Sequence, residues 1–222
     1  MITLQNICKT FYTSDVQTKA LDNVSLSVNK GEFVSIMGPS GCGKSTMLNI
    51  MGLLDEPTDG LLTIDNIPCK GLSDKQMAQI RNQKLGFIFQ SFHLIPALNV
   101  LDNVLLPMLY RPKAMGRAEQ RKRAEEVLKK VDLAHRMKHF PTQLSGGQCQ
   151  RVAIARALIG NPEVILADEP TGNLDSRMGA EIMEILKQLN KEGTTIVMVT
   201  HDEKIALQTD RIIRVSDGKL LA

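Results

Sequence analysis

The pattern of apolar and polar residues changes along the chain. Between residues 2 and 36 apolar positions alternate roughly with polar ones, which predicts short strands. Residues 164–167 are continuously apolar, and residues 195–199 form a second apolar run that begins with Thr195, a pattern typical of strands that are buried on both faces. Between these two runs, apolar residues recur at helical spacing from 182 to 189. The last part of the chain therefore predicts buried strands separated by an amphipathic helix.

The middle of the chain, from about residue 91 to 160, is dominated by helical patterns that several prolines interrupt. Apolar strands that alternate with helices indicate a largely parallel sheet covered on both faces. The N-terminal strands predict an antiparallel flank beside that sheet. We therefore expect one α/β domain over residues 1–222, in which a core (1–90 and 161–222) carries an inserted helical subdomain (91–160).

The composition is that of a globular protein with a sizeable core, at 43% hydrophobic and 23% charged residues. No apolar run reaches the roughly 18 residues that a membrane-spanning helix needs. The first residues lack the basic and apolar regions of a secretory signal. The 4 cysteines are not spaced as CxxC pairs, which argues against a zinc site or a disulfide scaffold. We expect a reduced, cytosolic protein.

Positive charge is concentrated in one segment. The net charge is only +3, which is too small to imply nucleic-acid binding by itself. Residues 111–139 nevertheless hold ten Lys or Arg against four Asp or Glu, in a helical pattern. Such a segment is either a solvated helix face or a surface that lies near anionic lipid headgroups.

A glycine-rich segment follows the strand predicted at residues 32–37. Its sequence, Gly38-Pro39-Ser40-Gly41-Cys42-Gly43-Lys44-Ser45, fits the phosphate-binding pattern G-x-x-x-x-G-K-[ST]. The glycines let backbone N–H groups approach phosphate oxygens, Lys44 can reach the β- and γ-phosphates, and the Ser45 hydroxyl can bind Mg²⁺. A helix predicted from Lys44 to about Met51 adds its positive N-terminal end. The segment predicts a nucleotide site of the P-loop type.

Two adjacent carboxylates, Asp168 and Glu169, follow the apolar run of residues 164–167. An acidic residue at the carboxyl end of a buried strand can hold Mg²⁺ in P-loop ATPases, which assigns Asp168 to the metal. Glu169 is then placed to orient or deprotonate the attacking water. Alone, the pair could be a solvated strand edge. The phosphate-binding segment is what favours the catalytic interpretation.

The segment Leu144-Ser145-Gly146-Gly147-Gln148 predicts a second anion site. Ser145 and Gln148 have the spacing of a capping box at a helix N-terminus. Gly146 and Gly147 leave the first turn without side chains, so that a phosphate can approach its N–H groups. The helix is expected to run over residues 149–159.

These segments, in this order and at this spacing, resemble the motifs of the ABC ATPases nearly from end to end of the chain. Gly38–Thr46 are similar to Walker A, Leu144–Gln148 to the signature and Val164–Glu169 to Walker B. Single residues stand where that family has its Q-loop, D-loop and switch histidine, namely Gln90, Asp175 and His201. The resemblance implies a P-loop NTPase core with a mixed, largely parallel sheet, an antiparallel β flank and an inserted α-helical subdomain.

The resemblance also implies a role for each matched residue. ATP would be bound by the segment Gly38, Pro39, Ser40, Gly41, Cys42, Gly43, Lys44, Ser45 and Thr46. The signature residues Leu144, Ser145, Gly146, Gly147 and Gln148 would bind ATP held by a second copy. Catalysis would involve Glu169, His201 and Gln90, and Mg²⁺ would be held by Ser45, Gln90 and Asp168. Phe11 would stack on adenine, with Tyr12 as the neighbouring alternative.

Partners and location follow from the same resemblance. Such subunits form ATP-dependent homodimers that drive an integral membrane permease, which must be a separate polypeptide if this chain has no membrane span. We expect a peripheral protein on the cytoplasmic face of the inner membrane and no nucleic-acid partner. The segments at residues 38–60 and 87–108 look closest to the macrolide-export and lipoprotein-release subfamily, which favours export or extraction. The cell-division ATPase is similar, and the transported substrate is not encoded in the cassette.

An ABC ATPase that works on DNA, in repair or chromosome maintenance, is the alternative from another functional class. Such proteins separate their motifs with long coiled coils or add zinc modules, and this sequence shows neither. A plain P-loop GTPase or kinase would leave the signature without a role. Co-purification with membrane protein or with DNA distinguishes these classes.

Overall fold

The computed structural model describes residues 1–12, 17–111 and 115–221. Its larger sheet holds six strands, numbered here in chain order: β3 (Phe33–Met37), β6 (Leu85–Phe89), β7 (Val164–Asp168), β8 (Thr195–Val199), β9 (Arg211–Ser216) and β10 (Lys219–Leu220). The strand order is β10-β9-β3-β8-β7-β6, and only the edge pair β10-β9 is antiparallel. The expected mixed, largely parallel sheet is confirmed.

A second, antiparallel sheet flanks the first and confirms the predicted β flank. Its strands are β1 (Ile2–Tyr12), β2 (Gln17–Val28), β4 (Asp59–Ile64) and β5 (Ile67–Pro68), in the order β2-β1-β4-β5. The first two strands are longer than the sequence predicts. The β1-β2 register shifts between Leu4 and Ile7, and the intervening Asn6 has a φ of 52°. Such irregularities interrupt the alternation from which strand length is judged.

Helices cover both faces of the larger sheet. They are α1 (Lys44–Met51), α2 (Asp74–Lys84), α3 (Val100–Leu105), α4 (Arg117–Lys130), α5 (Gly146–Leu158), α6 (Ser176–Lys191) and α7 (Glu203–Ala206). Short 3₁₀ turns lie at Leu106–Tyr110, Ala134–Arg136 and Pro141–Gln143. Helix α2 is absent from the sequence-based prediction because Met77 is its only buried residue, so that it lacks an apolar stripe.

Two hydrophobic clusters lie on opposite faces of the larger sheet. Val197 on β8 faces the cluster shared with α1 and the antiparallel sheet. Its neighbours Ile196 and Met198 face the cluster formed with α3 to α6. Successive strand side chains point to opposite faces, so a strand covered on both sides is apolar at nearly every position. The exceptions Ser35 on β3 and Thr195 on β8 are buried polar residues. This explains the continuous apolar runs of the sequence.

The topology brings distant segments to one edge of the sheet. Strands β3, β7 and β8 run parallel, so the residues that follow them meet at the carboxyl edge, where ligands bind in open α/β sheets. Strands β6 and β7 are neighbours although residues 90–163, including α3 to α5, separate them in sequence. The bounds expected for the inserted helical subdomain, residues 91–160, stay a prediction.

The basic segment forms helix α4 over Arg117–Lys130 and a 3₁₀ turn over Ala134–Arg136, while residues 112–114 lie outside the described ranges. Ala124, Val127 and Leu128 are the buried residues of α4, and its lysines and arginines lie on the other faces. The two interpretations of this basic surface stay predictions. None of the helices in the described ranges has the length and apolarity needed to cross a bilayer.

Candidate active site

The glycine-rich segment forms a tight loop between β3 and α1, called here the phosphate cradle (residues 38–45). Gly43 has a φ of 102°, and a Cβ on it would lie 2.3 Å from the Ala20 carbonyl oxygen, so only glycine fits. The Lys44 ammonium donates to the carbonyl oxygens of Gly38 (2.8 Å) and Pro39 (2.7 Å). Lys44 is only 8% exposed. The lysine is thus held along the inside of the loop, where a phosphate would enter.

A cavity of about 440 Å³ opens above the cradle. It is lined by Ala20, Ser40, Gly41, Gly43, Lys44, Ser45, Thr46, Glu169 and His201. Cys42 faces away from it, since its side chain is buried in the core beneath the loop. The fold therefore gathers the cradle, the predicted base and the predicted switch histidine around one space.

The predicted magnesium ligands Ser45 and Asp168 lie side by side. The Ser45 hydroxyl donates to Asp168 Oδ1 at 3.2 Å. Burial raises the pKa of Asp168, and the nearby charge of Glu169 adds to that increase, while Ser45 and Lys44 oppose it. A hydroxyl and a carboxylate are oxygen donors of the kind that Mg²⁺ prefers. The pair fits that metal.

Glu169 occupies a strained turn directly after β7. Its φ is 45°, a left-handed conformation that costs about 1 kcal/mol or more for a residue with a side chain. Two backbone bonds hold it: Glu169 N–H donates to Val199 O, and Gly172 N–H donates to Glu169 O, both at 3.0 Å. The carboxylate lies 3.0 Å from His201 Nδ1. We call residues 169–172 the catalytic turn.

Gln90 follows β6 and meets the catalytic turn from the side. Its amide donates to Asn173 Oδ1 at 3.1 Å, and the Asn173 amide donates back to Gln90 O at 3.1 Å. A Cβ on Gly172 would lie 2.8 Å from Gln90 Nε2 and 3.1 Å from Glu169 Oε2. Among the described residues no hydrogen bond joins Gln90 to Ser45 or Asp168. The metal role of Gln90 stays a prediction, and its structural partner is Asn173, two residues before the D-loop residue Asp175.

Asp175 caps helix α6. Its Oδ1 accepts a hydrogen bond from Met178 N–H at 2.8 Å, which satisfies one of the free donors of the first turn. The D-loop role implied by the family resemblance stays a prediction for this residue.

The signature lies at the start of α5 and forms the predicted capping box. Ser145 Oγ accepts from Gln148 N–H at 3.3 Å, and Gln148 Oε1 accepts from Ser145 N–H at 3.0 Å. The helix begins at Gly146, earlier than the expected residue 149, because Ser145 already closes the cap. Leu144 packs partly against the helical cluster.

The two signature glycines differ in their surroundings. A Cβ on Gly146 would meet nothing nearer than 3.6 Å, so this glycine leaves the helix end open, as expected. A Cβ on Gly147 would lie 2.6 Å from the sulfur of Met178 on α6. Gly147 is buried, and its lack of a side chain serves close packing of α5 on α6. The expected approach of a phosphate to the Gly147 N–H group stays a prediction.

Arg156 of α5 holds the segment that follows Gln90. Its guanidinium donates to the carbonyl oxygens of Phe92, at 2.6 Å, and His93. Phe92 and His93 both have positive φ, at 59° and 47°. Burial lowers the pKa of Arg156. No sequence motif pointed to this contact, because it joins residues far apart in the chain.

Comparison with known proteins adds the deciding observation. Residues 21–172 match the family described as ABC transporter. The chain belongs to this family. A relative described as an uncharacterized ABC transporter ATP-binding protein, MJ0796 of Methanocaldococcus jannaschii, is 55% identical over 99% of this chain and 95% of its own length. The resemblance inferred from the motifs is confirmed.

This ABC cassette is also similar to a solved cassette structure and to a larger export protein. A solved structure described as a dimeric, post-hydrolysis state of the cassette MJ0796 bound to ADP and Pi superposes with a TM-score of 0.93. It is 52% identical and covers 100% of this chain and 97% of that one. The macrolide export ATP-binding/permease protein MacB of Chlorobium luteolum is 49% identical over 100% of this chain but 33% of its own length. This cassette is an ATP-binding ATPase.

We expect Phe11→Ala to weaken ATP binding to the cassette by about 1–3 kcal/mol, since that is the contribution of base–aromatic stacking. Phe11 lies on β1 opposite Thr18 of β2, the strand whose Ala20 contacts the cradle. The Lys9 ammonium lies 5.0 Å from its ring centroid. Calorimetric titration should show the loss, while kcat stays within about twofold.

Tyr12→Ala is the matched control for the Phe11 substitution. Tyr12 is the next residue on β1, and its side chain is 68% exposed against 43% for Phe11. If Tyr12→Ala weakens ATP binding and Phe11→Ala does not, the adenine contact belongs to Tyr12.

Proposed function

We propose that this cassette works as an ATP-driven homodimer that powers a separate integral membrane permease from the cytoplasmic face of the inner membrane. One observation carries the dimer. The exposed residues Ser145 and Gly146 form a helix N-terminus suited to an anion, yet the cavity above the chain's own cradle is lined by other residues. In a dimer with two-fold symmetry, the ATP bound in the cradle of the second copy would supply the phosphate for this helix N-terminus. The description of the MJ0796 structure as a dimer bound to ADP and Pi supports dimer formation by this cassette.

In the proposed dimer, each ATP lies between the cradle of one copy and the signature of the other. Lys44 and the cradle N–H groups bind the phosphates, and Ser145 with the open turn at Gly146 contacts the γ-phosphate from across the interface. Mg²⁺ bound at Ser45 and Asp168 would neutralise phosphate charge. Glu169 accepts a proton from the attacking water. His201, 3.0 Å from that carboxylate, holds it in place.

A groove beside Gln90 supports the permease as partner. A cavity of about 790 Å³ lies between α2, β6 and the 3₁₀ turn Leu106–Tyr110. Leu54, Phe87, Phe89 and Tyr110 give it an apolar lining, and Leu54 and Tyr110 are 49% and 78% exposed. An apolar helix of a partner protein fits such a groove. A partner seated there would touch His93, which Arg156 ties to the signature helix.

The similarity to MacB supports export rather than uptake, because that relative is described as a macrolide export ATP-binding/permease protein. Macrolide export and lipoprotein release both fit, and the direction is part of the proposal. The permease domain named in MacB would correspond here to a separate chain.

The test is purification of tagged cassette from detergent-solubilised membranes of its native host, with and without Leu54→Glu. We expect the unmodified cassette to bring down a protein with several membrane spans, because the groove buries its apolar docking helix. Leu54→Glu places a charge in the groove and should reduce that recovery at least about tenfold, since burying an unpaired charge is costly. Quantitative mass spectrometry measures the recovery.

Leu207→Glu is the matched control, because Leu207 is 69% exposed and lies outside the groove. It should leave the recovery unchanged. Recovery of nuclease-sensitive DNA in place of a membrane protein would support the DNA-associated alternative and overturn the proposed function.

A further inference from the structure

Gln150 is a buried polar residue that the proposed mechanism does not use. It lies on α5, in the turn after the signature, and is 0% exposed. Its Nε2 donates to the carbonyl oxygen of Pro170 at 2.6 Å. Its Oε1 has no hydrogen-bond partner among the described residues. The hydrogen bond to Pro170 is the polar contact that this buried side chain makes within the described residues.

The carbonyl that Gln150 binds belongs to the catalytic turn. Pro170 directly follows Glu169, which has the left-handed φ of 45°, and it is itself buried. A proline has no N–H, so Pro170 can be held through its backbone only by its carbonyl oxygen. Residues in such conformations persist only when their surroundings hold them. Gln150 therefore supplies a third restraint on the turn, beside the bonds of Glu169 with Val199 and Gly172.

We propose that Gln150 is a positioning residue that, through its hydrogen bond to Pro170 O, holds Glu169 in its catalytic conformation and links it to the signature helix. Resting on the proposed function, this link joins two active sites. The signature of a chain touches ATP held by the partner, while its Glu169 acts on ATP in its own cradle. Binding of the partner's ATP at the N-terminus of α5 therefore affects the position of Glu169, the base that acts in the chain's own ATP site.

Gln150→Met is the first test, since methionine has a similar length and lacks the donor. We expect kcat to fall about 10-fold to 100-fold, because small displacements of a catalytic group have costs of that order. The KM for ATP should stay within about twofold, since the cradle is untouched. Asn103→Leu is the matched control, as Asn103 is also 0% exposed but bonds only within residues 95–103.

Gln150→Glu adds a readout that a purely structural role would not produce. Burial raises the pKa of the introduced carboxyl, and its protonated form can donate to Pro170 O as the amide does. Its ionised form cannot. The ratio of variant to wild-type kcat should therefore fall as the pH rises from about 6 to about 9. Circular dichroism at each pH confirms that the variant is folded.

Three results would each overturn the role of Gln150: a wild-type kcat in Gln150→Met, an equal kcat loss in Asn103→Leu, or a pH-independent ratio in folded Gln150→Glu. The dimer is examined separately. In the Glu169→Gln background, Gln150→Met should still dimerise on ATP, because the signature turn is intact. If Glu169→Gln alone fails to dimerise, the proposed dimer is wrong. The role of the contact between Gln150 and Pro170 is still tested independently, by the kcat of the protein that carries Gln150→Met alone.

Discussion

Glu169→Gln should retain binding of Mg-ATP and lose nearly all turnover. Lys44, Ser45 and Asp168 still hold the nucleotide, but the carboxamide cannot take a proton from water. Loss of a general base costs on the order of 10² to 10⁴ in rate. ATP would then persist between the cradle of one chain and the signature of the other. Light scattering during size-exclusion chromatography should show a shift from monomer to dimer with ATP and none with ADP.

Glu184→Gln is the matched control for this substitution. Glu184 lies on α6 with 72% of its side chain exposed, and within the described part of the chain its salt-bridge partner is Lys187. It should turn over ATP at the wild-type rate and show no stable dimer. A Glu169→Gln protein that binds ATP with normal affinity yet stays monomeric at high concentration would falsify the composite site.

Ser145→Arg, added to Glu169→Gln, should abolish the ATP-dependent dimer. The long charged side chain would occupy the space in which the partner's γ-phosphate meets the helix end, and it removes the cap of α5. ATP affinity at the chain's own cradle should stay within about twofold, because the signature does not line that cavity. The same chromatography, together with calorimetric ATP titration, measures both effects.

Loss of a helix cap alone costs about 0.5–2 kcal/mol, so its effect must be separated from that of the blocked site. Ser73→Arg does this, because Ser73 forms the same capping box with Gln76 at the start of α2, away from the cradle. The Ser73 variant should dimerise normally on ATP. A double variant of Ser145 and Glu169 that still dimerised would show that the signature is not the contact between copies.

Local chemistry made much of the site predictable. Lys44 and Ser45 follow from a short glycine-rich pattern, and Asp168 with Glu169 from a buried strand that ends in carboxylates. The capping box at Ser145 depends on residues three positions apart. In each case the residues that act together are close in sequence, or their strands end at the same sheet edge. The fold class followed in the same way from strand and helix periodicities.

Contacts between distant segments could not be predicted. Gln150 meets Pro170 across 20 positions, and Arg156 meets Phe92 across 64. Nothing in either local sequence shows which carbonyl a side chain will reach. Gly147 is a different case. The sequence motif predicts that this glycine gives phosphate access to the helix end, whereas the structure shows that close packing of α5 against Met178 also requires a glycine at this position. Helix α2 was missed because a helix that buries one residue leaves no periodic signal.

The position of the helical insertion also bears on how the chain folds. Strand β6 is the edge strand of its sheet and pairs only with β7, from which residues 90–163 separate it. Closing so long a loop adds little to the free-energy cost, which grows only with the logarithm of loop length. Its effect falls on the rate, because contacts between distant residues form slowly. Residues 38–194 separate β3 from its partner β8, so β3 depends on a closure that is longer still. The pairs β7-β8 and β9-β10 join strands much nearer in sequence, so β3 and β6 should dock after these pairs have formed.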